Sequence, residues 1–173
     1  PIWHKEIEDI IVLKNNKGTE DNRVRKLDYS IQLSKLFYER FINDEDITLF
    51  SPHEVPELYE AWGTDEFDNL YETAERKTSV SKKKVSAQTL FFDMLKERAE
   101  TGRIYIMNID HCNTHSSFKD RVYMSNLCQE ITLPTDPIQH IDGQGEIALC
   151  ILSAINVGKL NYLEDLEGLC DLA

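Results

Sequence analysis

The sequence predicts an α/β fold, and three observations carry that expectation. Stretches with apolar residues at helical spacing alternate with short β-branched runs. The order helix then strand repeats, with stop signals between the elements. One segment towards the C-terminal end is apolar throughout its centre, as a strand covered on both faces should be. Repeated crossovers of this kind favour parallel pairing.

Taken in order, residues 4–14 place Ile7, Ile10 and Ile11 at helical spacing, and Asn15-Asn16-Lys17-Gly18 closes that helix. From Asn22 to Ile42, the positions of Val24, Leu27, Ile31, Leu33, Leu36, Phe37 and Phe41 favour a period near 3.6, which predicts one long amphipathic helix. Asn43-Asp44-Glu45-Asp46 interrupts it. Ile47–Phe50 is a β-prone run, and Ser51-Pro52 offers an N-cap followed by proline at the first helical position. Helices are expected over about 65–76 and 80–101, the second stopped by Thr101-Gly102. Residues 103–109 then form a β-branched and aromatic run.

Residues 110–144 carry His111, His115, His140 and many short polar side chains, with no sustained period, and read as a long loop. Loops of that length in a compact domain are functional or disordered. Residues 146–157 are the continuously apolar strand, ended by Gly158, and Leu163, Leu166 and Leu169 restart a helix over 162–173. No repeat, low-complexity tract or linker divides the chain, so residues 1–173 are expected to lack an internal domain boundary.

Composition excludes several classes. With 41% apolar and 29% charged residues among 173, the chain is neither disordered, fibrous nor membrane-embedded in character. No window reaches the roughly 18 apolar residues of a spanning helix, and the start lacks a secretion pattern, so a cytosolic protein is expected. The 31 acidic against 19 basic residues give a net charge of −12, which disfavours nucleic acid or an anionic membrane as partner. A small phosphorylated ligand stays possible, because a local site overrides net charge. Cys112, Cys128, Cys150 and Cys170 are expected to be reduced or redox-active rather than a disulfide framework. The Pro-Ile-Trp start and the Asp-Leu-Ala end within a helical pattern suggest a piece of a longer polypeptide.

Chemistry concentrates in Ser125-Asn126-Leu127-Cys128-Gln129-Glu130. In extended backbone Asn126, Cys128 and Glu130 would point to one side, about 6.7 Å apart. On a helix Cys128 would be turned about 200° from the other two, so convergence requires a strand-like loop tip. A buried thiol beside a carboxylate holds its proton and is a poor nucleophile. Its neutral S–H suits hydrogen-atom chemistry, with the carboxylate abstracting a hydroxyl proton and the amide orienting that hydroxyl. The same residues also read as a buried loop cysteine flanked by solvated polar groups. Cys150, inside the apolar strand, reads either as a small core hydrophobe or as a redox thiol facing the same cavity as Cys128.

His111, Cys112 and His115 could begin a zinc site closed by Cys128, although their spacing matches no common zinc pattern, and a loop pinned by histidine hydrogen bonds is the alternative. Asp110 is positioned to anchor loop backbone locally. No phosphate-binding glycine loop or nucleophile-elbow motif is present.

Residues 103–116 (Arg-Ile-Tyr-Ile-Met-Asn-Ile-Asp-His-Cys-Asn-Thr-His-Ser), residues 125–131 (Ser-Asn-Leu-Cys-Gln-Glu-Ile) and residues 145–158 (Gly-Glu-Ile-Ala-Leu-Cys-Ile-Leu-Ser-Ala-Ile-Asn-Val-Gly) resemble the large, catalytic (alpha) subunit of class I ribonucleotide reductase, in its bacteriophage form. Residues 1–16 and 46–56 share the likeness, which covers essentially the whole chain but only the middle of that longer subunit. The resemblance implies part of a ten-stranded α/β barrel of two antiparallel halves, with residues 110–144 as the finger loop through its centre. It implies that Cys128 becomes a thiyl radical, that Glu130 deprotonates the ribose 3′-hydroxyl and that Asn126 hydrogen-bonds the ribose hydroxyls. Cys150 would be one of two thiols that reduce the 2′ position and end as a disulfide.

By the same resemblance the substrate is a ribonucleoside diphosphate. A metal-containing small subunit supplies the radical, a thioredoxin- or glutaredoxin-type dithiol supplies electrons, and no cofactor or metal is held by this segment. The remaining portions of the large subunit would complete a homodimer in the cytoplasm, the host's if phage-encoded. The second reducing cysteine, the tyrosine pair that relays the radical, the shuttle cysteines and the effector cone of the family do not occur in this sequence, so the chain alone is expected to be inactive. The alternatives are a non-catalytic scaffold derived from that enzyme and a small zinc-binding module.

Overall fold

The computed structural model describes residues 1–15, 17–19, 21, 23–24, 26–140, 143 and 145–172. Seven helices and four strands are formed among them: α1 (Ile7–Ile11), β1 (Ser30–Leu33), α2 (Lys35–Ile42), β2 (Asp46–Phe50), α3 (Pro56–Ala61), α4 (Phe67–Arg76), β3 (Lys82–Ser86), α5 (Ala87–Thr101), β4 (Tyr105–Asn108), α6 (Ile109–Thr114) and α7 (Asp165–Leu172). β1 pairs in parallel with β4, and β2 pairs antiparallel with β3. Helices and strands are mixed as the sequence predicts, but two of the four strands, one in each pair, are segments that it assigns to helices.

The expected helix from Asn22 to Ile42 is the first correction; Asn22 itself lies outside the described residues. Val24 and Leu27 are exposed, and residues 30–33 alternate in burial, with Ile31 and Leu33 in the core. Ser34 then starts α2, its hydroxyl accepting the Phe37 N–H at 3.3 Å. The apolar residues thus serve two periods joined at a cap. The expected helix over 80–101 is the second correction. Its first turn is instead β3, whose lysines lie exposed while the strand supplies the ladder partner for buried β2, Val85 opposite Ile47. Ser86 caps α5, and Gly102 at φ +65° ends it as expected.

Smaller shifts follow the same logic. α1 is confined to Ile7–Ile11, because His4 bridges to Phe50 of β2 and leaves the helical path. Of the residues expected to close that helix, Asn16 lies outside the described residues. The helix expected from Pro52 begins one turn later, with Pro56 in its first turn. The start of the expected loop, Asp110–Thr114, is helical in α6. The loop's Ile141, Asp142 and Gln144 lie outside the described residues, as does Ala173 at the end of the last helix.

The third correction concerns residues 146–157, which form no strand. Beyond an isolated bridge from Asp136 to Glu146, no strand pairs with them among the described residues, and Ile147, Leu149, Ile151 and Leu152 are 69, 79, 91 and 87% exposed. Such a run needs paired neighbours and covered faces to become a strand. Neither is in place here.

The core sits under β1, β2 and α3–α5. Trp3, Trp62, Phe67, Tyr71 and Phe50 form a chain of ring contacts with centroids 4.6–6.0 Å apart along the path Trp3–Trp62–Phe67–Tyr71–Phe50. Beside it the Arg40 guanidinium donates twice to Glu75, at 2.6 Å each, and the Thr48 hydroxyl donates to the same carboxylate at 2.5 Å. Burial works against the Glu75 charge, yet these bonds, that from Arg40 first, hold its carboxyl below the usual carboxylate range.

Candidate active site

The chain leaves the core through three consecutive residues. Arg121 donates to the carbonyls of Glu60 and Trp62 at the end of α3, and its guanidinium lies 4.4 Å from the centroid of the Tyr123 ring. Val122 is fully buried. The Tyr123 carbonyl accepts from Gln32 Nε2 at 2.8 Å, and the other end of that amide, Oε1, accepts from the Trp62 indole at 2.7 Å. Gln32 of β1 and the carbonyls of Glu60 and Trp62 at the end of α3 thereby hold the base of the segment that carries the candidate residues.

Beyond Tyr123 the backbone closes on itself. The Asn126 N–H donates to the Ile131 carbonyl at 3.1 Å, the Ile131 N–H donates to Asn126 Oδ1 at 3.0 Å, and the Gln129 N–H donates to the Asn126 carbonyl at 3.2 Å. Gln129 adopts φ +68° to complete the turn. The tip is therefore a tight turn and not the extended backbone that one-sided convergence of Asn126, Cys128 and Glu130 requires. An i to i+3 bond across Asn126–Gln129 reverses the chain, so the alternation of side chains is lost at Leu127-Cys128. Asn126 is half-buried, while Cys128 and Glu130 are exposed; the expected burial of Cys128 is not realised.

Cys128 stands beside Tyr105 of β4. Hydrogen bonding to the Cys128 thiol, followed by its charge, raises the Tyr105 phenol above its ordinary value. Cys150 is exposed rather than part of a buried strand, and all four cysteines are free. Asn126 and Cys150 nevertheless meet on the walls of one cleft of about 840 Å³, which Tyr59, Tyr123, Ile131 and Glu146 also line. Cys128 and Glu130 are not among its lining residues. With Oδ1 engaged by Ile131, Asn126 Nδ2 has no hydrogen-bond partner among the described residues and is free to donate to a hydroxyl in the cleft.

The histidine and cysteine cluster does not form a metal centre. His111 and His115 lie one turn apart on or beside α6, their rings edge-to-face at 5.2 Å, and His115 Nδ1 pairs with the Thr114 hydroxyl. Among the described residues, no group of three or more His, Cys, Asp or Glu side chains gathers closely enough to hold a metal ion. The zinc module built on His111, Cys112, His115 and Cys128 is thus corrected: α6 fixes the two histidines against one another. Asp110, expected to bond locally, instead accepts the Lys35 N–H at 2.5 Å and so caps α2 from 75 residues away. Burial raises its carboxyl, and that backbone bond opposes the rise.

Sequence reasoning misses Tyr59, Tyr123 and Tyr105 around the tip and cleft, and the anchors Gln32, Asn113 and Arg121. Their contacts span up to 91 residues, and no local spacing signals them. Asn113 lies within the cluster read for zinc, where the histidines draw the attention. No helix among the described residues is long and apolar enough to cross a membrane.

Comparison with known proteins follows the same residues. A family model of the ribonucleotide reductase barrel domain matches residues 1–172. The ribonucleoside-diphosphate reductase subunit alpha of Haemophilus influenzae is 56% identical over 170 residues, 95% of this chain and 22% of that protein. The corresponding subunit of Enterobacteria phage T4 is 44% identical over 179 aligned residues, 100% of this chain and 23% of that protein. Ribonucleoside-diphosphate reductase 1 subunit alpha of Escherichia coli K12 is 54% identical over 143 residues, 80% of this chain and 19% of that protein. The chain spans about a fifth of the length of these curated relatives. With the match running from residue 1, ahead of α1, through the turn at Cys128 to α7, the chain belongs to the ribonucleotide reductase family, as part of its barrel domain.

Proposed function

We propose that this chain is the central portion of the large subunit of a ribonucleoside-diphosphate reductase, an oxidoreductase that reduces ribonucleotides to 2′-deoxyribonucleotides for DNA synthesis. Residues 1–173 are then one partial barrel domain without an internal boundary, inactive alone. The observation that carries the reading is the shared cleft, which brings Asn126 from the loop tip to the same cavity as Cys150, although 24 positions separate them (150 − 126).

The roles follow from side-chain chemistry. Asn126 Nδ2 donates to a ribose hydroxyl, and Glu130 accepts the 3′-hydroxyl proton. Cys128, once oxidised by one electron, exchanges a hydrogen atom with the ribose. Net reduction replaces the 2′-hydroxyl by hydrogen and releases it as water, while two thiols, Cys150 and a second cysteine, lose two hydrogens and join as a disulfide. An external dithiol, of thioredoxin or glutaredoxin type, reopens that bond. The one-electron oxidant is a metal-containing small subunit, and the rest of the large subunit carries Cys128 and Glu130 to the cleft. The assembly is a cytoplasmic homodimer of complete large subunits, in the host's cytoplasm if phage-encoded, acting on ribonucleoside diphosphates.

Co-purification tests the reading. Chains bearing the missing cysteines and a radical-generating subunit should accompany this one, and the assembly should reduce a ribonucleoside diphosphate. Glu130→Gln keeps size and hydrogen bonding but removes the base, so turnover should fall with substrate affinity nearly retained. A stable monomer in cells with no such partner would leave only a non-catalytic scaffold.

A further inference from the structure

We propose that Asn113 is the positioning residue of the loop tip: its carboxamide, clamped to the buried backbone of Val122, sets where Asn126 and Cys128 stand. The inference rests on the role proposed above for Cys128. Asn113 Oδ1 accepts the Val122 N–H at 2.8 Å, and Nδ2 donates to the Val122 carbonyl at 3.1 Å and to the Ile109 carbonyl at 3.1 Å. One side chain thus supplies both bonds that a neighbouring strand would give, and ties them to its own helix α6.

Burial makes this joint different from the two beside it. Val122 is fully buried, and among the described residues it is the last member of the core. Its N–H and C=O cannot turn to water, so without Asn113 both become orphaned polar groups inside the protein. Tyr123, by contrast, is 42% exposed, and its carbonyl can exchange Gln32 for water. Beyond Tyr123 the described backbone hydrogen bonds up to Ile131 close within the turn itself. Cys128 follows Val122 by six positions (128 − 122), and the tip moves with that joint as a unit.

The packing leaves Asn113 little freedom. Gly63, at φ +82° beyond α3, has no side chain where a Cβ would lie 2.9 Å from Asn113 Nδ2 and 2.6 Å from Ile109 Cγ1. The amide therefore sits against a bare backbone surface, and a shift of Asn113 has no empty space to take up. Its neighbours His111 and His115 contact one another and line a separate cleft of about 400 Å³ with Cys112. The segment is pinned by the asparagine of the His-Cys-Asn-Thr-His run and not by its histidines.

The test uses the complete large subunit with its radical-generating subunit and a dithiol reductant. Asn113→Ala should lower kcat by about 10²-fold, the scale set by misplacing a reacting group by 1 Å, and change KM by a smaller factor. In the resting enzyme, iodoacetamide labelling of Cys128 read by mass spectrometry should change several-fold, with Cys170 unchanged. Asn113→Asp keeps the acceptor for the Val122 N–H but sets an oxygen against two carbonyls. Protonation restores a donor there, so its turnover relative to wild type should rise as pH falls. If Asn113→Ala does not fold, Asn113→Asp decides by the same readings. Wild-type kcat and wild-type Cys128 labelling in a folded variant overturn the proposal. Cys128→Ser is assayed alongside: wild-type turnover there would refute the role of Cys128, while the labelling would still decide whether Asn113 places the tip.

Discussion

Replacing Arg40 by methionine should destabilise the chain by about 3 kcal/mol, because it strands a carboxylate that the fold encloses. The Arg40 and Glu75 side chains are 11 and 18% exposed, and two 2.6 Å bonds join them. Removing one member of a buried ion pair costs about 3–5 kcal/mol, and the residual exposure together with the surviving Thr48 bond places this case at the lower end. In a chain of this length that is a fall of about 6–12 °C in Tm. Urea unfolding followed by the fluorescence of Trp3 and Trp62, both in the core, measures it. Arg40→Met with Glu75→Leu together should cost less than Arg40→Met alone, since no charge is left stranded. A loss below about 1 kcal/mol for Arg40→Met, or a strictly additive double variant, would show that the pair behaves as a solvated surface pair and would refute the argument.

The same carboxylate gives a pH dependence. The folded Glu75 carboxyl lies below its ordinary value of 4.5, so its contribution is complete above that value and is lost as pH falls through the folded one. Urea midpoints should drop more steeply below about pH 5 in wild type than in Glu75→Gln; parallel slopes would contradict this. Gly63→Ala forces a side chain into a left-handed conformation and against fully buried Ile109, which should cost about 2–4 kcal/mol; a loss under about 0.5 kcal/mol in the same unfolding experiment would contradict the close approach. In the complete assembly, turnover without external reductant should leave Cys150 resistant to alkylation while Cys112 and Cys170 stay free. Cys150 still alkylatable after substrate is consumed, or bridged to Cys170, would return it to an ordinary thiol.

The parts of the fold legible in the sequence are those with local signals. Gly102 stops α5, and the β-branched and aromatic run at 103–109 contains β4, whereas the signal at Ser51-Pro52 falls one turn before α3 begins. What is not legible depends on partners distant in the chain. Ser30–Leu33 is a strand because Tyr105–Asn108 lies beside it, and Lys82–Ser86 is one because Asp46–Phe50 needs a ladder; in isolation both fit a helical period. Residues 146–157 show the converse, a strong strand pattern left bare where no neighbour is in place. At the site, the residue types of Asn126, Cys128, Glu130 and Cys150 could be picked out, because amide, thiol and carboxylate at short spacing are few in the chain. Their geometry could not be read, since the reversal at Gln129 and the tie from Asn113 to Val122 are set by tertiary contacts.

The central claim, that Cys128 carries the hydrogen-atom step, is tested most directly by Cys128→Ser in the complete enzyme. An O–H bond is far stronger than S–H, so serine cannot serve as carrier. Turnover should be abolished, with ribonucleoside diphosphate still bound at wild-type affinity in equilibrium dialysis. Measurable wild-type turnover in that variant would contradict it.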